Sequence, residues 1–284
     1  MITIYKGDCR EVLANLPDQS VDCCVTSPPY FGLRDYGRKS QIGLEPTPEE
    51  FVEALVEVFR EVRRVLSDDG TVWLNLGDSY KNKQLIGIPW RVAFALQADG
   101  WYLRQDIIWS KPNPMAESVQ DRCTKSHEYI FLLSKISKYY FDIEPIREVI
   151  KPTNKGEASV RESGDSKTRN RKHWGVPHEP KNVIRKYEQI KGANKRSVWN
   201  VPTKGLSEAH FAVYPPELIE PCILAGCPEG GTVLDPFGGS GTTGMVADRL
   251  NRNSIMVELN DDYVQIAQNR IETDGGMFVD LEIK

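Results

Sequence analysis

Short apolar runs alternate with longer amphipathic stretches along most of the chain. Apolar runs bounded by turn residues are typical of buried strands, whereas apolar side chains at helical spacing indicate helices. The predicted strands are 2–5, 21–26, 71–76, 102–109, 128–133, 139–141, 232–235 and 254–258, and the predicted helices are 10–16, 48–66, 88–98, 215–226, 242–250 and 261–271. Strands separated by amphipathic helices imply an α/β fold with a mainly parallel sheet covered on both faces.

The strongest helix signal lies at 48–66. Thr47 is the expected N-cap, Pro48 occupies the first helical position, and Glu50 completes a capping box. One face of the predicted helix carries Phe51, Leu55, Val58, Phe59, Val62, Val65 and Leu66. We expect this face to pack on the sheet and the helix to stop at 67–70.

Composition is ordinary for a globular protein and excludes several other classes. The 284 residues are 40% hydrophobic and 27% charged, which allows one large domain or a domain with an insertion. No run approaches the roughly 18 apolar residues of a membrane span, and the N-terminus has no apolar stretch of signal-peptide length. The cytoplasm is therefore the expected compartment. The six cysteines show no CxxC spacing, so neither a zinc ribbon nor a disulfide framework is predicted.

Positive charge is concentrated at 151–198. This segment holds 13 Lys and Arg against 5 Asp and Glu, although the whole chain has a net charge of −4. It has few apolar residues and no sustained period, which predicts a basic, loop-rich insertion that is mobile when unbound. A solvated linker is one interpretation and a phosphate-binding face is the other. Trp174 and Tyr187 favour nucleic acid, because aromatic rings beside Arg and Lys suit base stacking.

A glycine-rich loop follows the predicted strand 232–235. Gly239, Gly241 and Gly244 match a G-x-G-x-x-G spacing at the start of the next helix. Glycines there allow close backbone approach to a ligand. Glu258 ends the following strand about 20 residues later, where a carboxylate can hold ribose hydroxyls. Together these features predict a site for a nucleoside-bearing cofactor.

The position of this loop in the chain favours a particular cofactor. A dinucleotide fold continues through several strand–helix units after its glycine loop, whereas only about 40 residues remain here. A phosphate loop of the G-x-x-x-x-G-K-[ST] type is not found in the sequence. We therefore expect an adenosine cofactor without phosphate, such as S-adenosylmethionine, on a sheet whose strand order is permuted.

The second chemical signal is TSPPY at 26–30, directly after a buried strand. Loops at the carboxyl ends of parallel strands form ligand sites in open α/β sheets. Two prolines stiffen the loop and remove two N–H donors. The Ser27 hydroxyl and carbonyl oxygens remain as acceptors, and Tyr30 supplies a flat ring. Such a loop suits a planar group that carries an amine, although a plain strand-to-helix turn is the alternative.

TSPPY together with DPFGGSGTT resembles the amino-group DNA methyltransferases, which modify N4 of cytosine or N6 of adenine. The catalytic tetrapeptide precedes a variable segment and the cofactor loop, as in the beta arrangement of that family. GTVWLNLGDSY, DIIWSKPNPMAESVQDRCTKSHEYIFLLSK and IMVELNDDYVQIAQNRI also match, so the resemblance covers nearly all of the chain outside 151–198. It implies a Rossmann-like S-adenosylmethionine-dependent methyltransferase fold with a catalytic half at 1–150, a target-recognition insertion at 151–198 and a cofactor-binding half at 199–284.

The resemblance also assigns roles to individual residues. The implied catalytic loop is Ser27, Pro28, Pro29 and Tyr30. The implied cofactor residues are Asp8 and Cys9 at the adenine, Asp235, Phe237, Gly239, Ser240, Gly241, Thr242 and Thr243 at the methionine end, and Glu258 at the ribose. The chain departs from the family where His-Pro-Ala is usual, because His210 is followed by Phe211. The resemblance therefore does not settle whether His210 holds the cofactor.

The expected partner is double-stranded DNA with an extruded target base, and no membrane contact is expected. A Ser at the head of the tetrapeptide is associated with cytosine more often than with adenine, so N4 of cytosine is favoured and N6 of adenine is the alternative. Methylation at carbon 5 would need a cysteine nucleophile, but Cys222 is interpreted as a buried helix residue. A non-catalytic nucleic-acid binding module would explain the basic segment but not the two loops. A cognate restriction nuclease and a homodimer are both compatible with the sequence.

Overall fold

A computed structural model of the chain describes residues 1–35, 37–38, 40–149, 192–205, 213–276 and 279–284. The chain divides into two units, of which the first comprises Met1–Ile146 and Arg196–Lys284 and the second Arg147–Lys195. The strands are β1 (Ile2–Lys6), β2 (Val21–Thr26), β3 (Leu66–Leu76), β4 (Tyr80–Lys81), β5 (Gln84–Leu85), β6 (Tyr102–Ser110), β7 (His127–Ser134), β8 (Val198–Asn200), β9 (Thr232–Asp235), β10 (Asn253–Glu258) and β11 (Leu281–Ile283). The helices are α1 (Cys9–Asn15), α2 (Pro48–Val65), α3 (Ile88–Ala98), α4 (Pro216–Gly226), α5 (Thr242–Arg249) and α6 (Asp261–Gly275).

Within the described residues, nine strands of the first unit form one sheet in the order β11-β1-β10-β9-β2-β3-β7-β6-β8. Its pairings are parallel except those of β7, which runs antiparallel to both β3 and β6. The mainly parallel α/β fold expected from the sequence is therefore confirmed. From β9 the chain continues toward β10, whereas from β2 it continues toward β3. The carboxyl ends of β9 and β2 thus flank the point where the strand order reverses, which is where open α/β sheets bind ligands.

Helices cover both faces of the sheet. The buried side chains of α1, α2 and α3 belong to the hydrophobic core on one face. Those of α4, α5 and α6 belong to the core on the other face. Helix α2 begins as expected, because the Thr47 hydroxyl accepts a hydrogen bond from the Glu50 amide at 3.2 Å, and its apolar stripe is buried on the first of these cores. Burial of both faces explains why the central strands consist of continuous apolar runs.

Several predicted boundaries were wrong. Helix α2 ends before 67–70 as expected, but these residues belong to β3, so this strand begins at Leu66 and not at residue 71. It pairs with β2 across a register shift between Val21 and Cys23. Residues 139–141 form no strand. The Tyr140 amide instead donates to the Asp69 carbonyl at 2.8 Å, and the Phe141 ring stacks on Trp73 with ring centroids 6.1 Å apart. This segment is apolar because it packs on the core, not because it joins the sheet.

The second unit contains most of the predicted insertion. Glu148 and Ala193 form an antiparallel bridge, with both amide-to-carbonyl distances at 2.9 Å. Arg147 donates to the side chain of Asn194 at 2.8 Å. Residues 150–191, including Trp174 and Tyr187, lie outside the described residues, so the recognition role of 151–198 stays a prediction.

Among the residues that the structure describes, none of the helices combines the length and the apolar character needed to cross a membrane.

Candidate active site

The two loops singled out in the sequence are joined by a buried carboxylate. Asp235, at the end of β9, accepts a hydrogen bond from the Thr26 hydroxyl at the end of β2, at 2.6 Å. It also accepts from the Thr243 hydroxyl at 2.5 Å, the Tyr214 hydroxyl at 2.9 Å and the Phe237 amide at 3.1 Å. Burial raises the pKa of Asp235, and these donors oppose that rise. With four donors, the carboxylate has little capacity left for a ligand and acts as the junction between the loops.

A cavity of about 330 Å³ opens at this junction. Its volume is in the range of small-molecule sites. Of the predicted site residues, its wall contains Asp8, Cys9, Ser27, Pro28, Pro29, Tyr30, Phe237, Gly239, Ser240, Thr242 and Glu258. The catalytic loop and the glycine-rich loop therefore face one shared cavity although they are some two hundred residues apart in the chain.

Three predicted cofactor residues do not line the cavity: Asp235, Gly241 and Thr243. Asp235 and Thr243 are hydrogen-bonded to each other through their side chains, and both are fully buried. Gly241 has a φ of +81°, and a Cβ there would lie 2.8 Å from the Cβ of Ala267 on α6. Their contacts hold the loop in shape, and their direct contact with a cofactor stays a prediction.

Gly239 is the glycine of the motif that faces the cavity. Its φ is +51°, and a Cβ added there would meet only one atom within 4 Å. Its amide donates to Glu258 Oε2 at 2.8 Å. Gly244, by contrast, packs against the sheet, since a Cβ there would come within 2.5 Å of Met256 Cε on β10. One motif therefore serves both close ligand approach and helix–sheet packing.

Glu258 lies at the end of β10 with both carboxylate oxygens held by backbone amides, Oε2 by Gly239 and Oε1 by Asn260 at 2.8 Å. Burial raises the pKa of Glu258, and the two amides partly offset that effect. Each carboxylate oxygen retains a lone pair that can accept from a ribose hydroxyl. The side chain is thus oriented in advance for the role that the sequence predicts.

The cavity wall continues at the end of β1, the strand that pairs with β10 beside Glu258. Asp8 caps α1 by accepting from the Arg10 amide at 2.9 Å, and its other oxygen pairs with the Arg10 guanidinium at 2.5 Å. Burial raises the pKa of Cys9 to about 12, so its thiol is neutral. A neutral thiol beside a paired carboxylate provides a weakly polar wall that suits an adenine ring. Together with the Glu258 carboxylate and the close approach allowed by Gly239, these side chains fit S-adenosylmethionine.

The catalytic loop contains a hydrogen-bond network that the sequence did not predict. The Tyr30 hydroxyl donates to Glu128 Oε2 at 2.5 Å. The side-chain amide of Asn75 donates to the same Glu128 oxygen at 3.1 Å, to the Tyr30 oxygen at 3.0 Å and to Ser27 Oγ at 3.3 Å. Burial and the Glu128 carboxylate raise the pKa of Tyr30 well above its ordinary value, against smaller lowering effects of Ser27 and Asn75. Tyr30 is therefore a protonated donor.

Lys111 completes this network. Its ammonium pairs with Glu128 Oε1, and its Nζ lies 4.4 Å from the centroid of the Trp109 ring. The Tyr30 ring packs directly on the backbone of Gly77, where a Cβ would clash with the ring carbons. The cavity residues that sequence reasoning missed include Asn75, Trp109, Lys111, Glu128, Tyr214 and Asn260. Asn75 had a signal, since it is a lone amide within the apolar run of β3.

Two further sequence expectations concern the rest of the site. Cys222 is 1% exposed within α4 and its thiol faces the Leu218 carbonyl at 3.7 Å, so it is outside the cavity wall. This agrees with its interpretation as a structural residue. His210 and Phe211 lie outside the described residues.

Replacing Tyr214 by Phe is expected to destabilise the protein by about 2 kcal/mol, because a hydrogen bond to a charged group contributes about 1.5–3 kcal/mol. The substitution removes one donor from buried Asp235 and leaves the ring in place. Denaturant unfolding of both proteins would measure the difference. The matched control is Tyr139→Phe, which removes only an exposed hydrogen bond to Arg104. Equal stability of Tyr214→Phe and the parent protein would contradict the junction role.

Comparisons with known proteins identify the family of the chain. A family model for DNA methylases, that of the N6 and N4 methyltransferases, matches residues 21–269. The type II methyltransferase M.Cfr9I of Citrobacter freundii is 45% identical over 299 residues, which cover 95% of this chain and 87% of the relative. M.SmaI of Serratia marcescens, also a type II methyltransferase, is 45% identical over 297 residues, covering 94% of this chain and 90% of the relative.

Solved structures give the same result. TTHA0409 of Thermus thermophilus, in complex with S-adenosylmethionine, is 27% identical with a TM-score of 0.65, covering 100% of both chains. PvuII DNA methyltransferase, described as cytosine-N4-specific, shares the fold at a TM-score of 0.69 and 20% identity, covering 99% of this chain and 94% of that one. The family model matches most of this chain, and both motif loops face one cavity. The chain therefore belongs to the amino-group DNA methyltransferases, whose cofactor is S-adenosylmethionine.

Proposed function

We propose that this DNA methyltransferase is site-specific and methylates N4 of a cytosine that is extruded from the duplex. The observation that carries the proposal is the arrangement of Ser27. Its Oγ already receives one hydrogen bond, from the Asn75 amide at 3.3 Å. An oxygen with one lone pair still available is a suitable acceptor for one hydrogen of an exocyclic amine.

A second feature favours cytosine over adenine. Lys111 lies in the cavity wall with Ser27 and uses one of its donors on Glu128. Cytosine presents two neighbouring acceptors beside its amine, N3 and O2, whereas adenine presents N1 followed by a C–H group. An ammonium group with further donors therefore complements cytosine better. Adenine is retained as the alternative outcome of the experiment below.

The mechanism follows from what these residues can do. The cofactor, when bound, would supply a sulfonium-activated methyl group whose S–C bond breaks as the N–C bond forms, and the proton that the methylated amine loses would pass to water. Ser27 and the Pro28 carbonyl accept the two amine hydrogens, which localises the nitrogen lone pair and orients it toward the cofactor side of the cavity. Tyr30 presents its ring for stacking on the extruded base. Orientation of the reacting groups provides much of the rate enhancement in such a site.

Recognition of the DNA sequence is assigned to the basic segment 151–198. Its excess of Lys and Arg suits phosphate contacts, which position a protein on the duplex. Side chains from the same segment would then reach base edges in a groove.

The experiment is to incubate the protein with methyl-labelled S-adenosylmethionine and DNA, digest the DNA to nucleosides and identify the labelled product by mass. We expect N4-methyldeoxycytidine. N6-methyldeoxyadenosine would overturn the choice of base, and label in RNA or protein but not in DNA would overturn the substrate. DNA built only from A·T pairs, which contains no cytosine, is the matched control.

A further inference from the structure

Glu128 is the centre of the network next to the catalytic loop, and the mechanism above does not use it. It lies near the start of β7, and its side chain is 13% exposed. One oxygen pairs with Lys111, and the other accepts from both Tyr30 and Asn75. These three partners come from the residue after β6, from the catalytic loop and from β3, so Glu128 links three separate parts of the chain around Ser27.

The network has a fixed direction. A carboxylate paired with an ammonium group only accepts hydrogen bonds, so the Tyr30 proton and one Asn75 amide proton point toward Glu128. Because the Tyr30 proton is used in this way, the Tyr30 oxygen is left as an acceptor for the Asn75 amide, at 3.0 Å. The same amide donates to Ser27 Oγ at 3.3 Å, and Ser27 lies in the cavity wall with one lone pair left to accept a further hydrogen bond.

We propose that Glu128 is a positioning residue for methyl transfer, which acts through Tyr30 and Asn75 to hold Ser27 as an acceptor toward the target amine. The proposal rests on the proposed function only in placing that amine against Ser27. It does not depend on whether the base is cytosine or adenine, since both carry an exocyclic amine.

The construction of the network argues against a purely structural role. The Lys111–Glu128 pair is largely buried, with 18% and 13% of the side chains exposed, and a hydrophobic pair in such a place is often equally or more stable. Asn75 is 4% exposed in the otherwise apolar run 72–76 of β3, and its Oδ1 has no hydrogen-bond partner among the described residues. A buried, unsatisfied amide destabilises the fold. Unfavourable groups of this kind concentrate at functional sites, where their geometry is needed.

The test compares Glu128→Gln and Tyr30→Phe with the parent enzyme in single-turnover methyl transfer, at saturating S-adenosylmethionine and DNA. Each substitution is expected to lower the rate by about 10²-fold, the effect typical of misplacing a reacting group. The double variant is expected to be no slower than the slower single variant, because both changes break one network. Cofactor affinity should stay within about twofold, since neither side chain belongs to the ribose or glycine-loop contacts.

Glu49→Gln is the matched control, because it removes an exposed ion pair between Glu49 of α2 and Arg91 of α3 and leaves the cavity wall intact. A parent-like rate in folded Glu128→Gln would overturn the proposal, as would additive losses in the double variant. If Glu128→Gln fails to fold, Tyr30→Phe alone tests the proposal. A parent-like rate of methyl transfer in this variant overturns the proposal, and a lower rate with parent-like cofactor affinity supports it. The methylated base is identified separately, so an adenine product would overturn the choice of base without affecting this result.

Discussion

Ser27→Ala is expected to lower the single-turnover rate of methyl transfer by about 10²–10³-fold, as observed when one preorganised hydrogen-bonding group of an active site is removed. The substitution deletes the acceptor that faces the target amine and leaves the Asn75 amide with its bonds to Tyr30 and Glu128. Because the cofactor pocket is formed mainly by other residues, the affinity for S-adenosylmethionine should hardly change. Rapid-quench measurement of label transfer to DNA gives the rate.

Ser20→Ala provides the matched control, because it removes an exposed hydroxyl that bonds to the Pro17 carbonyl at 2.7 Å, away from the cavity wall. Its rate should equal that of the parent enzyme. If Ser27→Ala also transfers methyl groups at the parent rate, Ser27 is not the acceptor and the proposed mechanism fails.

Glu258→Ala is expected to weaken binding of S-adenosylmethionine by about 10²–10⁴-fold, since it removes two hydrogen bonds between ribose hydroxyls and a carboxylate, each contributing about 1.5–3 kcal/mol. The same change leaves the amides of Gly239 and Asn260 without their acceptor. Glu258→Gln, which keeps one acceptor oxygen, should show an intermediate loss. Calorimetric titration of the cofactor into the protein without DNA measures this effect apart from catalysis.

Glu272→Ala serves as the control for this series, since Glu272 is an exposed residue of α6 whose carboxylate accepts from Gln268. Unchanged cofactor affinity in Glu258→Ala would show that the ribose lies elsewhere.

The two loops of the site could be predicted because each is a local pattern at the end of a strand. Gly239 and Glu258 are separated by one helix and one strand, so their spacing alone predicts that they meet. Asn75, Lys111 and Glu128 could not be predicted in this way. They meet because β7 pairs antiparallel with both β3 and β6, in a register that sets Glu128 opposite Trp109 and Ile130 opposite Asn75. The local sequence pattern does not determine such long-range registers.

The errors in the fold have a similar origin. The edge strands β8 and β11 have only three residues each, too few to show a period. The hairpin of β4 and β5 turns through Asn82 and Lys83, both at positive φ without glycine, so it lacks the usual turn signal. Residues 139–141 gave the opposite error, because apolar side chains that pack on the core resemble a strand in a short window.

The Ser27 loop and the glycine-rich loop are proposed to hold the two reactants in one cavity. A crystal structure of the protein with S-adenosylmethionine would test this arrangement. We expect the ribose hydroxyls to contact Glu258 and the sulfonium methyl to point toward the Ser27 side of the cavity. A methyl group directed away from Ser27, or a cofactor bound outside this cavity, would show that the arrangement is wrong.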